Sequence, residues 1–186
     1  MVVSILITFI NYTTYIPRMY SHFTYQMADA LNYYSTKKWL FYPVIQGKKE
    51  YAFVNDVSKS VIEKGFYSGI APHFTEKDTR YEARIDSTDA HLILQATRLS
   101  YSPLTENAFF VVNCNGLQYY FPASFDRSWK DMLKFRVRQE TAMTVIDWKA
   151  INEPCLKLPD AIRLAILKNG YVTYYPLSVI GNRATK

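Results

Sequence analysis

The dipeptide Asn115-Gly116 separates two apolar runs, Phe109 to Cys114 and Leu117 to Phe121. Asn-Gly accepts the positive φ angles of a type I′ turn, whose twist matches that of a two-stranded hairpin. A two-residue turn at this point pairs Val112 with Tyr119 and Phe110 with Phe121 on one face, and Val111 with Tyr120 on the other. Side chains alternate between the faces of a strand. Both faces of this hairpin are apolar, so it has to be central in its sheet or covered on two sides.

A second hairpin is written in alternation. Tyr81, Ala83 and Ile85 alternate with Glu82, Arg84 and Asp86, the pattern of a half-buried strand. With Thr88-Asp89 as the turn, Ile85 faces Leu92, Ala83 faces Leu94 and Tyr81 faces Ala96, and all apolar pairs share one face. The same register sets Asp86 opposite His91. Further strands are expected over Trp39 to Gln46, Glu50 to Val54, Thr144 to Trp148 and Tyr171 to Ile180. Pro43 and Pro176 lack a backbone donor, which favours an edge or a break where they fall.

Four segments read as helices. Phe23, Met27, Ala30, Leu31 and Tyr34 share one face of a helix from Ser21 to about Tyr34. Asn55 or Asp56 caps a short helix that stops at Gly65. Trp129, Met132, Leu133 and Val137 form the apolar stripe of a helix from about Asp126 to Glu140. Leu158-Pro159 opens a last helix with Ile162, Ala165 and Ile166 inward and Gly170 as its stop. Segregated helices and antiparallel hairpins define an α+β class, a mainly antiparallel sheet flanked by three to four helices. A length of 186 residues suits one domain. Residues 1–18 read as an apolar N-terminal strand or extension, and 19–186 as a single α+β domain.

The apolar stretch Met1 to Ile10 is shorter than the roughly 20 residues that span a bilayer, and no basic residue precedes Arg18, unlike a secretory signal. No membrane span is expected. A cytoplasmic or virion-associated location fits better than secretion. Cys114 and Cys155 are 41 positions apart with no paired-cysteine spacing, so two free thiols are expected, with a single disulfide as the alternative, and zinc-ribbon or thioredoxin-like motifs are excluded.

Few residues offer chemistry. No glycine-rich loop precedes a helix and no nucleophile elbow is present, so no cofactor and no catalytic residue is assigned. Asp86, Asp89 and His91 gather near one turn, and His73, Glu76 and Asp78 in one loop; an ordinary surface ion pair accounts for the first group better than a metal does. No metal is assigned. Asp29 followed by Gln46 and Lys48 loosely resembles part of the restriction-endonuclease-like nuclease signature, without the usual acidic residue on a preceding strand. That resemblance implies a metal-dependent nuclease, kept as the third reading.

The leading expectation rests on charge. The chain carries a net charge of +6, and Lys130, Lys134 and Arg138 recur every fourth residue, with Arg127 and Arg136 beside them. A row of this kind lies along one helix face and suits the phosphates of nucleic acid or another polyanion. The 16 tyrosines and 11 phenylalanines include the doublets Tyr33-Tyr34, Tyr119-Tyr120 and Tyr174-Tyr175, candidates for stacking or for interfaces. Non-catalytic binding of nucleic acid or another polyanion is therefore expected first. A structural assembly subunit of virion or secretion-machine type is expected second, contacting itself or other subunits through its aromatics and through edge strands at Val2 to Ile10 and Tyr171 to Ile180.

Overall fold

A computed structural model describes residues 24–38, 40–41, 73–99, 106–125 and 141–179. The chain is mostly β. Its strands are β1 (His73–Glu76), β2 (Tyr81–Ser87), β3 (His91–Thr97), β4 (Asn107–Cys114), β5 (Leu117–Pro122), β6 (Ser124–Phe125), β7 (Thr141–Asp147), β8 (Ala161–Lys168) and β9 (Tyr171–Val179). Helix α1 covers residues 24–36. A single turn α2 (Trp148–Ile151) and a 3-10 turn (Pro154–Lys157) lie between β7 and β8.

The strands form one sheet in the order β5-β4-β8-β9-β2-β3-β7-β6, with β1 added on β9. The two ends of that order, β5 and β6, are separated in the chain by Ala123 alone. One stretch of chain therefore pairs with β4 along β5 and then, through Ser124 and Phe125, with Met143 and Ala142 of β7. The sheet curls into a nearly closed barrel. Its interior is filled by alternate residues of β3, β4, β5, β7 and β8, namely Leu92, Leu94, Phe110, Val112, Tyr119, Phe121, Ala142, Ile146, Leu164 and Ile166, with half-buried Tyr81, Ile85, Tyr175 and Leu177 of β2 and β9 packed against them.

This architecture replaces the expected α+β sheet flanked by three to four helices. Among the described residues there are two α-helices, and only α1 is longer than one turn. The decisive segment is Ala161–Lys168, expected as the last helix and folded as strand β8. Ala, Leu, Arg and Lys favour helix, but propensity is a weak prior against tertiary context. The context is the turn that follows. Asn169 and Gly170 both take positive φ, 51° and 80°, the requirement of a type I′ hairpin. β8 then pairs with β4 on one side and β9 on the other. It is buried on both faces from Leu164 to Leu167, which removes the period-two signal a half-exposed strand would show.

The Asn115-Gly116 hairpin has the expected register, with Val112 opposite Tyr119, Phe110 opposite Phe121 and Val111 opposite Tyr120. It is also covered on both sides. Barrel contents pack on one face; α1 packs on the other through Met27, Ala28, Ala30 and Leu31, which meet Phe109, Val111, Tyr120, Ala165, Leu167, Val172 and Tyr174. The β2–β3 hairpin keeps its expected faces in a different register. Thr88 N–H donates to the His91 carbonyl at 2.8 Å, so the turn is Asp89-Ala90. Moving the turn by one position sets Ile85 opposite Leu94 and Ala83 opposite Ala96. His91 then faces Asp147 of β7 and not Asp86.

Strand β9 is central, contrary to its expected place at an edge. Its first half pairs in parallel with β1 from Tyr171 to Tyr174, and its last part with β2 from Leu177 to Val179. Pro176 falls in the interval between these two partners, where no donor is needed on that side. The strand expected from Trp39 is irregular at residues 40–41. The remainder of that segment, the helix expected before Gly65, the helix over 126–140 and the apolar N-terminus lie outside the described residues.

Two polar side chains of α1, buried Asn32 and half-buried Ser35, bond the edge of β5 that faces away from β4. Asn32 donates through Nδ2 to the Tyr120 carbonyl at 2.8 Å and accepts the Tyr120 N–H at 2.6 Å. Ser35 Oγ accepts the Gln118 N–H at 3.1 Å. These are the β5 backbone groups that point away from β4, and α1 satisfies them where no strand does. One turn earlier, Asp29 Oδ1 accepts the N–H groups of Leu40 (2.8 Å) and Phe41 (3.0 Å). That fold-back places Leu40 in the barrel core, and Phe41 edge-on to Phe121 at 5.9 Å.

The cysteines are joined in a disulfide and are not the expected free thiols. Cys114 ends β4, Cys155 lies in the 3-10 turn, and their Cα atoms are 5.7 Å apart, within the usual range for the bond. The bond ties the segment that closes one end of the barrel to a central strand.

Two outcomes test these supports. Asn32→Leu leaves the buried Tyr120 N–H and carbonyl unpaired and should cost about 2–4 kcal/mol, read as a lower urea midpoint at unchanged slope. Replacing both Cys114 and Cys155 by Ala opens a loop spanning 41 positions and should cost about 4 kcal/mol by the chain-entropy relation.

Candidate functional site

The residues assigned from sequence to a polyanion, Arg127, Lys130, Lys134, Arg136 and Arg138, all lie outside the described residues. The same holds for Gln46 and Lys48 of the nuclease resemblance. Asp29, its acidic member, is wholly buried and accepts backbone N–H groups, a structural task.

The two clusters of acidic residues and histidine expected from the sequence separate into pairs and contacts of different kinds. Asp86 accepts from Arg84 at 2.8 Å, and His91 Nε2 stands 3.8 Å from Asp147. His73 stacks on Tyr171 with ring centres 5.2 Å apart, while Glu76 bonds Arg163. No group of three His, Cys, Asp or Glu side chains among the described residues is arranged to hold a metal. No helix among them is long and apolar enough to cross a membrane.

What the fold does assemble is aromatic. Each tyrosine doublet sends one ring to the outer side of the barrel: Tyr34 from α1, Tyr120 from β5 and Tyr174 from β9. Tyr120 and Tyr174 share a hydroxyl–hydroxyl hydrogen bond, and both hydroxyls approach Gln118 Oε1, at 2.9 and 3.0 Å. Phe74 of β1 lies over Tyr174, with planes 11° apart and centres at 5.9 Å, and Tyr34 adjoins Phe74 at 6.0 Å. The buried end of this row is Tyr120; the outer end is Phe74 and Tyr34, each about two-fifths exposed at 41% and 42%.

Cations border the row. Lys37 Nζ lies 5.7 Å from the centre of Tyr34, and the Arg163 guanidinium 6.0 Å from that of Tyr174, within reach of a cation–π attraction. Arg163 is also bonded to Glu76, so the border is close to charge-balanced. The other members of two doublets face the barrel interior. Tyr119 is buried near Glu153, which is bonded to Lys38, and Tyr175 meets Tyr81 edge-on at 5.2 Å.

Burial raises the phenol pKa values of Tyr120, Tyr174, Tyr119 and Tyr81 above the ordinary value. For Tyr120 the neighbouring Tyr174 adds to the effect; for Tyr174, the Tyr120 hydrogen bond and Arg163 oppose it. These phenols are held neutral, opposite to the direction that would activate a tyrosine as base or nucleophile. They supply flat apolar surface and hydroxyl donors.

Beside the row runs an open strand edge. β1 pairs only with β9 among the described residues, and all four of its residues are exposed. His73 N–H donates to the Gly170 carbonyl and Lys77 N–H to that of Tyr174. By strand alternation the N–H and carbonyl groups of Phe74 and Glu76 point away from β9. Alternation in the doublets is visible in the sequence. The convergence of Tyr34, Phe74, Tyr120 and Tyr174 is not, because it depends on strand order and on the docking of α1.

No protein-family model, no curated protein and no solved structure matches this chain.

The raised phenols have a pH signature. A group whose folded pKa lies above its unfolded value stabilises the fold fully below the unfolded value and loses that contribution as pH rises toward the folded one. The ordinary phenol value is 10.0, so stability should hold below that pH and fall above it. Tyrosinate absorbance should show a subset of phenols ionising only together with loss of near-ultraviolet circular dichroism; smooth ionisation of every phenol in the folded state would refute the buried cluster.

Proposed function

We propose that this chain is a non-catalytic binding protein that contacts a partner protein through the exposed aromatic row and the β1 edge. The observation that carries this reading is the adjacency of two features: the exposed rings of Tyr34 and Phe74, and an exposed strand whose outward backbone groups, on Phe74 and Glu76, meet no strand among the described residues. Aromatic residues and arginine are enriched in protein interfaces. An unpaired edge accepts an added strand, with backbone hydrogen bonds supplying affinity and neighbouring side chains supplying selectivity. The ion pair of Arg163 with Glu76 leaves the surface near neutral, which suits a protein partner better than a phosphate backbone.

The second reading, nucleic acid or another polyanion bound through Arg127, Lys130, Lys134, Arg136 and Arg138, is favoured by the net charge of +6. Its affinity would fall steeply with salt.

Selection from a displayed library of extended peptides separates these readings. Strand-forming peptides should bind the folded chain, and Phe74→Lys should weaken that binding about tenfold or more, since edge charge opposes strand addition. Failure to enrich any peptide whose binding depends on Phe74, together with oligonucleotide binding that collapses with added salt, would replace the first reading by the second.

A further inference from the structure

We infer that the partner at the β1 edge is a second copy of this chain, joined by antiparallel β1–β1 pairing about a two-fold axis at Thr75; this rests on the reading of the edge as an interface. Three observations carry it.

The first is geometric. Only Phe74 and Glu76 direct backbone groups outward, because His73 and Lys77 are hydrogen-bonded to β9. In an antiparallel pair centred on Thr75, Phe74 of one copy stands opposite Glu76 of the other, and the reverse. Every outward donor of the edge then meets an outward acceptor, so the edge is complementary to itself. A two-fold interface requires such self-complementarity.

The second is charge. The chain as a whole carries +6, which opposes self-association. The stretch from His73 to Arg80 carries Glu76 and Asp78 against Lys77 and Arg80, so its formal charges cancel with His neutral. Two copies can meet at this stretch without local repulsion, whereas a polyanion gains nothing from it.

The third is apolar area. A four-residue strand pair by itself falls short of a stable interface, which buries roughly 1,200–2,000 Å². Phe74 stands at this edge, and Tyr34 adjoins it, so exposed rings border the pairing line and extend the contact beyond the backbone.

The chain provides a clean test, because Cys114 and Cys155 are bonded to each other and no described cysteine is free. Thr75→Cys introduces one thiol at the two-fold position. Its backbone groups point toward β9, so Thr75 and its copy form a non-hydrogen-bonded pair with Cα atoms about 4.5 Å apart, inside the roughly 4.4–6.8 Å window for a disulfide. Under mild oxidation the full-length variant should form a covalent dimer about tenfold faster than Thr88→Cys, another exposed position, at the β2–β3 turn. Light scattering should show unmodified protein passing from monomer to dimer with rising concentration. Phe74→Glu, which sets a second carboxylate opposite Glu76 of the other copy, should shift that transition at least about tenfold upward, and Met143→Glu, on the outer face of β7, should leave it in place. A chain monomeric at all concentrations with no preferred Thr75 cross-link overturns the inference. If Phe74-dependent peptide binding persists in that case, the interface reading stands and only the identity of the partner falls. Should Thr75→Cys fail to fold, the concentration series with Phe74→Glu decides alone.

Discussion

The fold depends on how one strand edge is satisfied. The N–H groups of Gln118 and Tyr120 and the Tyr120 carbonyl point from β5 away from β4, and no described strand pairs with them. Tyr120 is buried, and a buried N–H or carbonyl without a partner costs about 1–3 kcal/mol. The Asn32 amide carries a donor and an acceptor at the spacing of a peptide group and serves both sides of Tyr120. A helix thus completes the sheet. Because Asn32 is fixed to β5, the rest of α1 is fixed as well: Met27 and Leu31 seal the outer face of the central hairpin, and Asp29 turns the following chain so that Leu40 enters the barrel.

The same docking creates the aromatic surface beside β1. Tyr34 reaches the row of Phe74 and Tyr174 only because α1 lies across β5, β4, β8 and β9. Tyr174 reaches Tyr120 only because β8 and β4 separate β9 from β5 at a width the two side chains span, hydroxyl to hydroxyl. The aromatic surface is the outer margin of the second hydrophobic layer, and its buried end is what keeps the exposed end in place. The β1 edge differs in kind. It is a short parallel addition to a strand that is already paired with β8, and its four residues are exposed on both faces. It contributes little to the core, which is the usual character of a segment available to a partner.

Legibility from sequence follows the range of the interaction. The register of the Asn115-Gly116 hairpin is local: two residues with permitted positive φ and a matched pair of apolar runs define it. The β2–β3 hairpin is legible in its faces and not in its register, since turns one position apart give the same alternation. β8 reads as a helix for a physical reason. A strand buried on both faces shows no period of two, and Ala-Ile-Arg-Leu-Ala-Ile-Leu-Lys keeps its helical look until Asn169-Gly170 is recognised as a hairpin turn equivalent to Asn115-Gly116. The disulfide is likewise hidden, because no local spacing brings residues 41 positions apart together. Among the candidate residues, the doublet tyrosines are visible as types, and their meeting point is not.

By itself, then, the sequence determined what short-range sterics and alternation can specify: the turn at Gly116, the two faces of β4 and β5, the helical stripe of Met27, Ala30 and Leu31, and a core too apolar to remain unfolded. Tertiary structure alone decided that the ends of the sheet meet, that β9 is central and β1 an edge, that Cys114 reaches Cys155, and that four rings from α1, β1, β5 and β9 form one row. The reason lies in the pairing itself. A strand carries the same outward donors and acceptors whichever neighbour it takes, so neighbours are chosen by the closure of the whole barrel and by the burial that closure allows.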